Sequence, residues 1–452
     1  MSVLLSDMKD NSRKSSILSI ILFIIIISFT YSTQNMISPN LELISNYFGF
    51  GGDSSPLGIL TFVFTLVSGA SLLLFGYMAD KFTRKWIVFG GSVAFSIFSL
   101  FTIFIPSGFQ GYVLFFLLTS INGIGFGAII PSTFSLIGDL ISQTNRSKGF
   151  SFFSIASLIG MALGLGLATV LGPLDWRFAY VAAGIAGLCI SVLILMFREP
   201  SRIGKDYIGL TDQDAIEYTY RIKISDLKRI FKKKSNFWLI VNFVDTIPTG
   251  IILFLLFEYM KSYHNISADT SLIFLVFILL STLFGTIVFG YIGDDKFRKG
   301  NKRARVMLAL IGNIVPIPLI FTALIIPFEV SLGSSFLQVL SHPGVILWIV
   351  LFSAGLFVNG AVNGNWYATV VDLNLPENRG TILATSNFFD IIGKAIGPLV
   401  GAIAADAVSY VFGMMTSIFF WSAIPFFWIP VLRNIIKDMD ETQKIFEERL
   451  KL

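Results

Sequence analysis

The chain has 452 residues, of which 54% are hydrophobic and only 13% charged, about half the ~25% charged content of ordinary soluble domains. Its 46 phenylalanines and mean hydropathy of +0.77 exceed what a soluble core requires and suit a surface that faces lipid. A net charge of +5 is too small to suggest nucleic-acid binding. The single cysteine, Cys189, lies in an apolar run and excludes disulfides. His264 and His342 fall in short polar segments, which argues against a histidine-based metal or catalytic centre.

Lys9, Arg13 and Lys14 precede the first apolar run, 17–38, and no small-residue cleavage site follows it. The run therefore reads as an uncleaved first span. Further runs of spanning length follow at 57–79, 86–106, 111–136, 149–172 and 177–197. A charged linker covers 198–235. Six more runs occupy 236–260, 269–292, 304–326, 344–371, 381–405 and 409–432, and a polar tail, 433–452, ends the chain. The pattern predicts twelve helices in two groups of six: an N-terminal bundle (1–197) and a C-terminal bundle (236–432).

Lysine and arginine positions give an orientation. Thirty of the 32 loop cations fall on the side holding both termini and the linker; Arg177 and Lys261 fall on the other. That side is expected to be cytoplasmic. Within the linker, Ser225 can cap a short packing helix bearing Leu227, Ile230 and Phe231. Lys232, Lys233 and Lys234 then either attract anionic lipid or anchor the seventh span by snorkelling.

Two internal repeats relate the halves. Gly76-Tyr77-Met78-Ala79-Asp80-Lys81-Phe82-Thr83-Arg84-Lys85 recurs 214 residues later as Gly290-Tyr291-Ile292-Gly293-Asp294-Asp295-Lys296-Phe297-Arg298-Lys299. A glycine, a carboxylate and a cationic run between apolar spans suggest a tight loop at a membrane face. At an offset of 233, Gly127, Asp139, Arg146, Gly160 and Gly164 match Gly360, Asp372, Arg379, Gly393 and Gly397. Gly160, Gly164 and Ala168 stand four apart, as do Gly393, Gly397 and Gly401, and small residues at that spacing let helices approach closely. Plain tight packing and a rocking contact both fit.

Intramembrane charge is costly and marks candidate function. Three such residues stand out: Asp245 in span seven, and Asp390 and Lys394 in span eleven. Asp390 and Lys394 have the spacing of a same-face ion pair, read either as a functional pair or as an inert lock between helices. Polar stripes run along Asn242, Asp245, Thr246 and Thr249 in span seven, and along Asn359, Asn363 and Trp366 in span ten. Thr119, Asn122, Phe126 and Thr133 form one in span four, and Thr30, Thr33 and Gln34 one in span one. Each stripe fits a solute cavity or interhelical hydrogen bonding.

The phrase at Gly76 resembles the loop signature between helices two and three of the major facilitator superfamily, matching at Gly76, Ala79, Asp80, Arg84 and Lys85. The copy at Gly290 is looser, with Asp295 in place of a cation. Asp175-Trp176-Arg177-Phe178, Arg198-Glu199-Pro200-Ser201-Arg202 and Gly300-Asn301-Lys302-Arg303-Ala304-Arg305 resemble the Spinster-like branch, which includes lysolipid and sphingolipid-type exporters. The chain departs from that branch at Tyr31-Ser32-Thr33-Gln34-Asn35, where an Asp-Arg pair is common, and at Phe126, where a carboxylate often follows Gly-x-Gly. The arginine of many proton-coupled exporters falls at Thr119.

The resemblance implies an all-α membrane protein of twelve helices in two pseudo-symmetric six-helix bundles. Helices one, four, seven and ten are then expected to line a cavity with Gln34, Thr119, Asn122, Phe126, Asn242, Asn359, Asn363 and Trp366. Gly76, Asp80, Arg84, Lys85, Arg146, Gly290, Asp294, Arg298 and Arg379 would form the gate, Asp80 meeting the start of span eleven. Asp245, Asp390 and Lys394 would couple transport to a proton or another ion, with Asp245, which has only neutral polar neighbours on its own stripe, as the carrier. The expected protein is a monomeric secondary transporter, not an enzyme, using alternating access, no cofactor and no nucleic acid. It would move a small organic or amphiphilic solute in contact with membrane lipid at the cell membrane. A sensor or scaffold on the same frame is the alternative. No P-loop supports ATP-driven pumping.

Overall fold

The computed structural model describes residues 21–140, 146–197, 199, 233–331, 333–374 and 376–450, with side chains omitted at 80, 81, 134, 137–155, 376–381, 383, 384 and 446–450. Regular elements among the described residues are helical. In the N-terminal half α1 covers Ile21–Tyr47, α2 Ser55–Lys81, α3 Arg84–Phe101, α4 Phe109–Leu140, α5 Arg146–Leu171 and α6 Arg177–Met196. In the C-terminal half α7 covers Lys234–His264, α8 Ala268–Arg298, α9 Ala304–Ile325, α10 Pro343–Leu373, α11 Pro376–Ala407 and α12 Tyr410–Leu450. Eleven contain fully described stretches long and apolar enough to cross a membrane; the twelfth, α5, is apolar over its described part, Ala156–Leu171. The chain divides into two compact units between Glu217 and Tyr218. The expected packing helix at 225–231 lies outside the described residues.

Several spans are interrupted, and the sequence says where. α1 passes through 3-10 turns at Thr33–Asn35 and Ser38–Asn40. Pro39 offers no N–H to the carbonyl four residues back, so the α-helical ladder is broken there. α7 has a 3-10 turn at Asn242–Asp245, one turn ahead of Pro248. α9 is divided before Pro316 and α10 at Gly360.

Both repeats mark helix crossings. A Cβ at Gly160 or Gly164 would lie 2.3 and 1.8 Å from the Ser28 and Ser32 carbonyl oxygens, so α5 lies directly on α1. A Cβ at Gly393 or Gly397 would lie 2.4 and 2.6 Å from the Phe243 and Ile247 oxygens, so α11 lies on α7 in the same way. Gly127 meets Ser71 of α2, and Gly360 meets Gly285 of α8; Ser71 and Gly285 are themselves 214 apart. Lipid tails are as apolar as leucine, so close backbone approach, not burial from water, holds such helices together.

α12 runs for 41 residues, roughly 60 Å at ~1.5 Å per residue and about twice a ~30 Å hydrocarbon core. The segment expected as a polar tail is helical through Leu450. It clasps the ends of α7 and α10: Asp438 Oδ2 accepts from the Ser235 backbone N–H at 3.0 Å, and Lys233 Nζ donates to Thr442 Oγ1 at 2.5 Å and the Leu373 carbonyl at 2.8 Å. Lys233 is therefore engaged with its own bundle.

On the opposite end of the N-terminal unit, Tyr47, Phe48, Phe115, Trp176 and Tyr180 form an aromatic cluster with ring separations of 5.0–6.1 Å. Arg177 binds Asp175 at 2.5 Å, closes the end of α3 by donating to the Ile103 and Ile105 carbonyls, and stacks on Tyr47. This hydrogen bond from Arg177 holds the Asp175 carboxyl below the usual carboxylate range. His264, expected in a polar loop, is the last residue of α7 and fully buried, with Nδ1 2.8 Å from the Phe328 carbonyl and Nε2 2.9 Å from the Tyr259 hydroxyl.

Candidate functional site

The first gate motif is organised by a carboxylate from far along the chain. Thr83 precedes α3 but makes no side-chain cap. Glu199 takes that role, accepting from the backbone N–H groups of Arg84 at 3.2 Å and Lys85 at 3.1 Å. An anion there satisfies orphan helix donors and meets the positive end of the dipole. Arg84, only 3% exposed, adds an Nε bond to Glu199 at 3.0 Å and an Nη1 bond to Ser135 at 2.8 Å. Lys85 Nζ donates to the Leu195 carbonyl in the last turn of α6 at 2.8 Å. The loop itself is only Phe82 and Thr83, since Gly76 and Asp80 are helical. Neither Gly76 nor Gly290 is buried or sterically required: a Cβ at Gly76 would come no closer than 3.8 Å to a neighbour, and one at Gly290 meets open space.

The second motif uses a different cation. Arg298, which matches Arg84 in the repeat, is exposed. Arg305, 13% exposed, bridges Asp294 at 2.6 Å and Asp372, with its guanidinium 4.1 Å from the Phe297 ring centre. Asp295 pairs instead with Lys299 at 2.7 Å. Gly293 is the glycine that matters sterically, since a Cβ there would lie 2.1 Å from Asn365 Oδ1. The side chains of Asp80, Arg146 and Arg379 lie outside the described residues.

Several expected cavity residues have packing partners within their own bundle. Asn122 is buried and donates to Ser99 Oγ at 3.3 Å. Thr119 and Phe126 are buried, Phe126 edge-on to Tyr31 at 5.1 Å. Gln34 is half-buried. Trp366 is buried and donates to the Leu239 carbonyl at 3.1 Å, while Asn359 donates to the Gly312 carbonyl at 3.1 Å. Asn363 is exposed. The division at Gly360 falls between Asn359 and the other two residues of this stripe.

The three intramembrane charges do come together. The 3-10 turn of α7 presses on Gly393 of α11, where any Cβ would fall 2.2 Å from Thr246 Oγ1. Thr246 Oγ1 is placed to donate to the Phe243 carbonyl at 2.8 Å or to the Asp390 carbonyl at 3.0 Å, linking the two helices. Asn242 Nδ2 donates to Asp245 Oδ2 at 2.8 Å. Asp390 and Lys394 both act electrostatically on Asp245. Asp245 thus has the neutral Asn242 beside it on its own helix and a carboxylate, Asp390, on α11. Asp390 and Lys394 interact through space without a hydrogen-bonded ion pair. Tyr367 lies within electrostatic range of both carboxylates, and its hydroxyl donates to Asn387 Oδ1 at 3.2 Å. Phe243 and Phe389, 5.6 Å apart, flank the cluster. Sequence reasoning missed Glu199, Arg305 and Asn387. Glu199 and Arg305 were visible only as members of branch-like strings.

Residues 22–373 match the family model described as Major Facilitator Superfamily. The chain belongs to that superfamily. Within it the chain is similar to Protein spinster of Drosophila melanogaster, at 27% identity over 83% of this chain and 59% of the fly protein. It is also similar to the sphingosine-1-phosphate transporter SPNS2 of Danio rerio, at 26% identity over 79% of this chain and 70% of that protein. The chain thus spans about three fifths of the fly relative. In fold it resembles a bacterial homolog to the human lysosomal transporter Spinster, in an inward-facing, unoccupied conformation, with a TM-score of 0.78, 15% identity and coverage of 94% and 98% of the two chains. A D-xylose-proton symporter has a TM-score of 0.65 at 17% identity, over 90% and 97%. The family is one of integral membrane transporters.

Proposed function

We propose that this protein is a secondary transporter that moves a small amphiphilic solute by alternating access, with both termini cytoplasmic. The observation that carries this reading is the cluster of Asp245, Asp390, Lys394, Tyr367 and Asn387 on the C-terminal bundle. Charges placed together in a membrane-spanning bundle are expensive to keep and need a use. Lys394 suits an anionic group, the carboxylates a cationic group, and Phe243 with Phe389 an apolar portion. The named substrate of the zebrafish relative is a sphingosine phosphate, which has all three features.

Coupling follows from the same cluster. A proton shared between neighbouring carboxylates relieves their mutual repulsion, and its loss restores a charge that a cationic group can answer. Asp245, carried on an interrupted helix, is the proposed carrier, with Asp390 as its partner. The gate residues on α2, α3 and α8 would change contacts as the bundles reorient. The reading is tested by counterflow in proteoliposomes, using fluorescent single-chain phospholipids and sphingoid phosphates. Trans-accelerated uptake of at least one such amphiphile is expected. Binding without counterflow for every amphiphile tested would favour a sensor.

A further inference from the structure

We propose that a groove on the N-terminal bundle holds one acyl chain of an anionic phospholipid, with its phosphate at the α2–α3 loop. α2 and α3 are consecutive, yet both pack on α4 and leave a cleft of about 470 Å³ between them, within the ~300–1,000 Å³ range of small-molecule sites. Phe75 and Met78 form one wall, Trp86 and Ile87 the other, and Ile124 and Gly125 lie along α4.

The floor is low because α3 and α4 nearly touch. A Cβ on Gly91 would lie 2.9 Å from Ala128 Cβ, and one on Gly125 would lie 3.0 Å from the Gly91 carbonyl. Gly90 differs: a Cβ there meets nothing within 4 Å. Its missing side chain serves no helix contact and leaves the groove clear.

The lining fits a hydrocarbon chain better than a polar ligand. Among the described lining residues only Thr83 has a hydroxyl, and none is charged. Phe82 and Trp86, 57% and 58% exposed, stand at the loop end, where the amphipathic Trp86 indole favours the headgroup level. Lys85 follows, its Nζ 5.9 Å from the Trp86 ring centre. That ammonium gives one hydrogen to Leu195 and has three. An ammonium beside the lining Trp86 and the hydroxyl of Thr83 complement a phosphate joined to an acyl chain. The occupant would come from the leaflet on the loop side. It is distinct from any transported solute, because the groove lies wholly within one bundle and on different helices from the acidic cluster.

The test uses the full-length protein in nanodiscs containing phosphatidylglycerol or phosphatidylcholine, each with an acyl-chain diazirine. Photolabelling is mapped by peptide mass spectrometry. Labels are expected on Met78, Trp86, Gly90 and Ile124, more strongly from phosphatidylglycerol. Gly90→Leu, which fills the groove without touching backbone, should reduce labelling there about tenfold, the equivalent of ~1.4 kcal/mol. Ile124→Phe, filling it from α4, should act similarly and guards against misfolding of the first variant. Gly166→Leu, equally open but on α5, should leave labelling unchanged. Lys85→Gln should remove the preference for phosphatidylglycerol. Labelling spread evenly over lipid-facing residues, or unaltered in both filled variants, would overturn the proposal. So would equal labelling by the two lipids.

Discussion

At the residue scale, the gate motif is an arrangement of buried charge. Arg84 is almost completely enclosed and depends on Glu199. Neutralising Glu199 weakens its charge-assisted hydrogen bonds to the Arg84 side chain and to the start of α3, each worth about 1.5–3 kcal/mol. Glu199→Gln should therefore lower the thermal midpoint of the purified protein markedly, and the double variant with Arg84→Met should recover part of it. Equal midpoints for wild type and Glu199→Gln would refute the pairing. Asp175 supplies a second residue-scale prediction. Its carboxyl is held low by Arg177, so its stabilisation is complete above the ordinary carboxylate pKa and is lost as pH falls through the lowered folded value. Thermal midpoints measured from pH 7 to pH 3 should fall less steeply for Asp175→Asn than for wild type. The partners of these charges were not legible in the sequence. Glu199 lies 115 residues from Arg84, and nothing local distinguishes it from other loop carboxylates. Arg305 displaces Arg298 from the second motif because Asp372, one element further on, draws it in.

At the scale of elements, the glycine repeats were the most readable signal, because their physical demand is local and periodic. Four-residue spacing predicts a smooth helix face, and the structure puts α1 on one such face and α7 on the other. Gly164→Val and Gly397→Val each force a side chain into a neighbouring backbone, an overpacking cost of about 1–3 kcal/mol or more. Both variants should show reduced yields of monodisperse protein on size exclusion, whereas Gly166→Val should not. The polar stripes were less readable. Period 3.6 assumes an unbroken α-helix, but α7 takes a 3-10 turn at Asn242–Asp245, with about three residues per turn, and α10 is divided at Gly360. Asp245 and Asp390 stood out individually as charges in apolar spans. Their proximity depends on the α7 turn seating on Gly393, which composition cannot show.

At the scale of the whole molecule, span number and the relation between halves follow from hydropathy and the two offsets, and family membership agrees with both. Orientation rests on the distribution of cations. Single cysteines at Asn265 and Ser225, in a Cys189→Ala background, should react with an impermeant reagent from opposite sides of the membrane. Labelling from one side would overturn the twelve-span map. The proposed division of labour, gate residues on the loops and coupling in the C-terminal bundle, leads to the central claim that Asp245 carries the coupling proton. The direct measurement is transport of the identified amphiphile in proteoliposomes, with and without an imposed pH gradient, for wild type and Asp245→Asn. The account predicts that Asp245→Asn abolishes gradient-driven accumulation while exchange at equal pH persists. Accumulation that survives the substitution unchanged would contradict it.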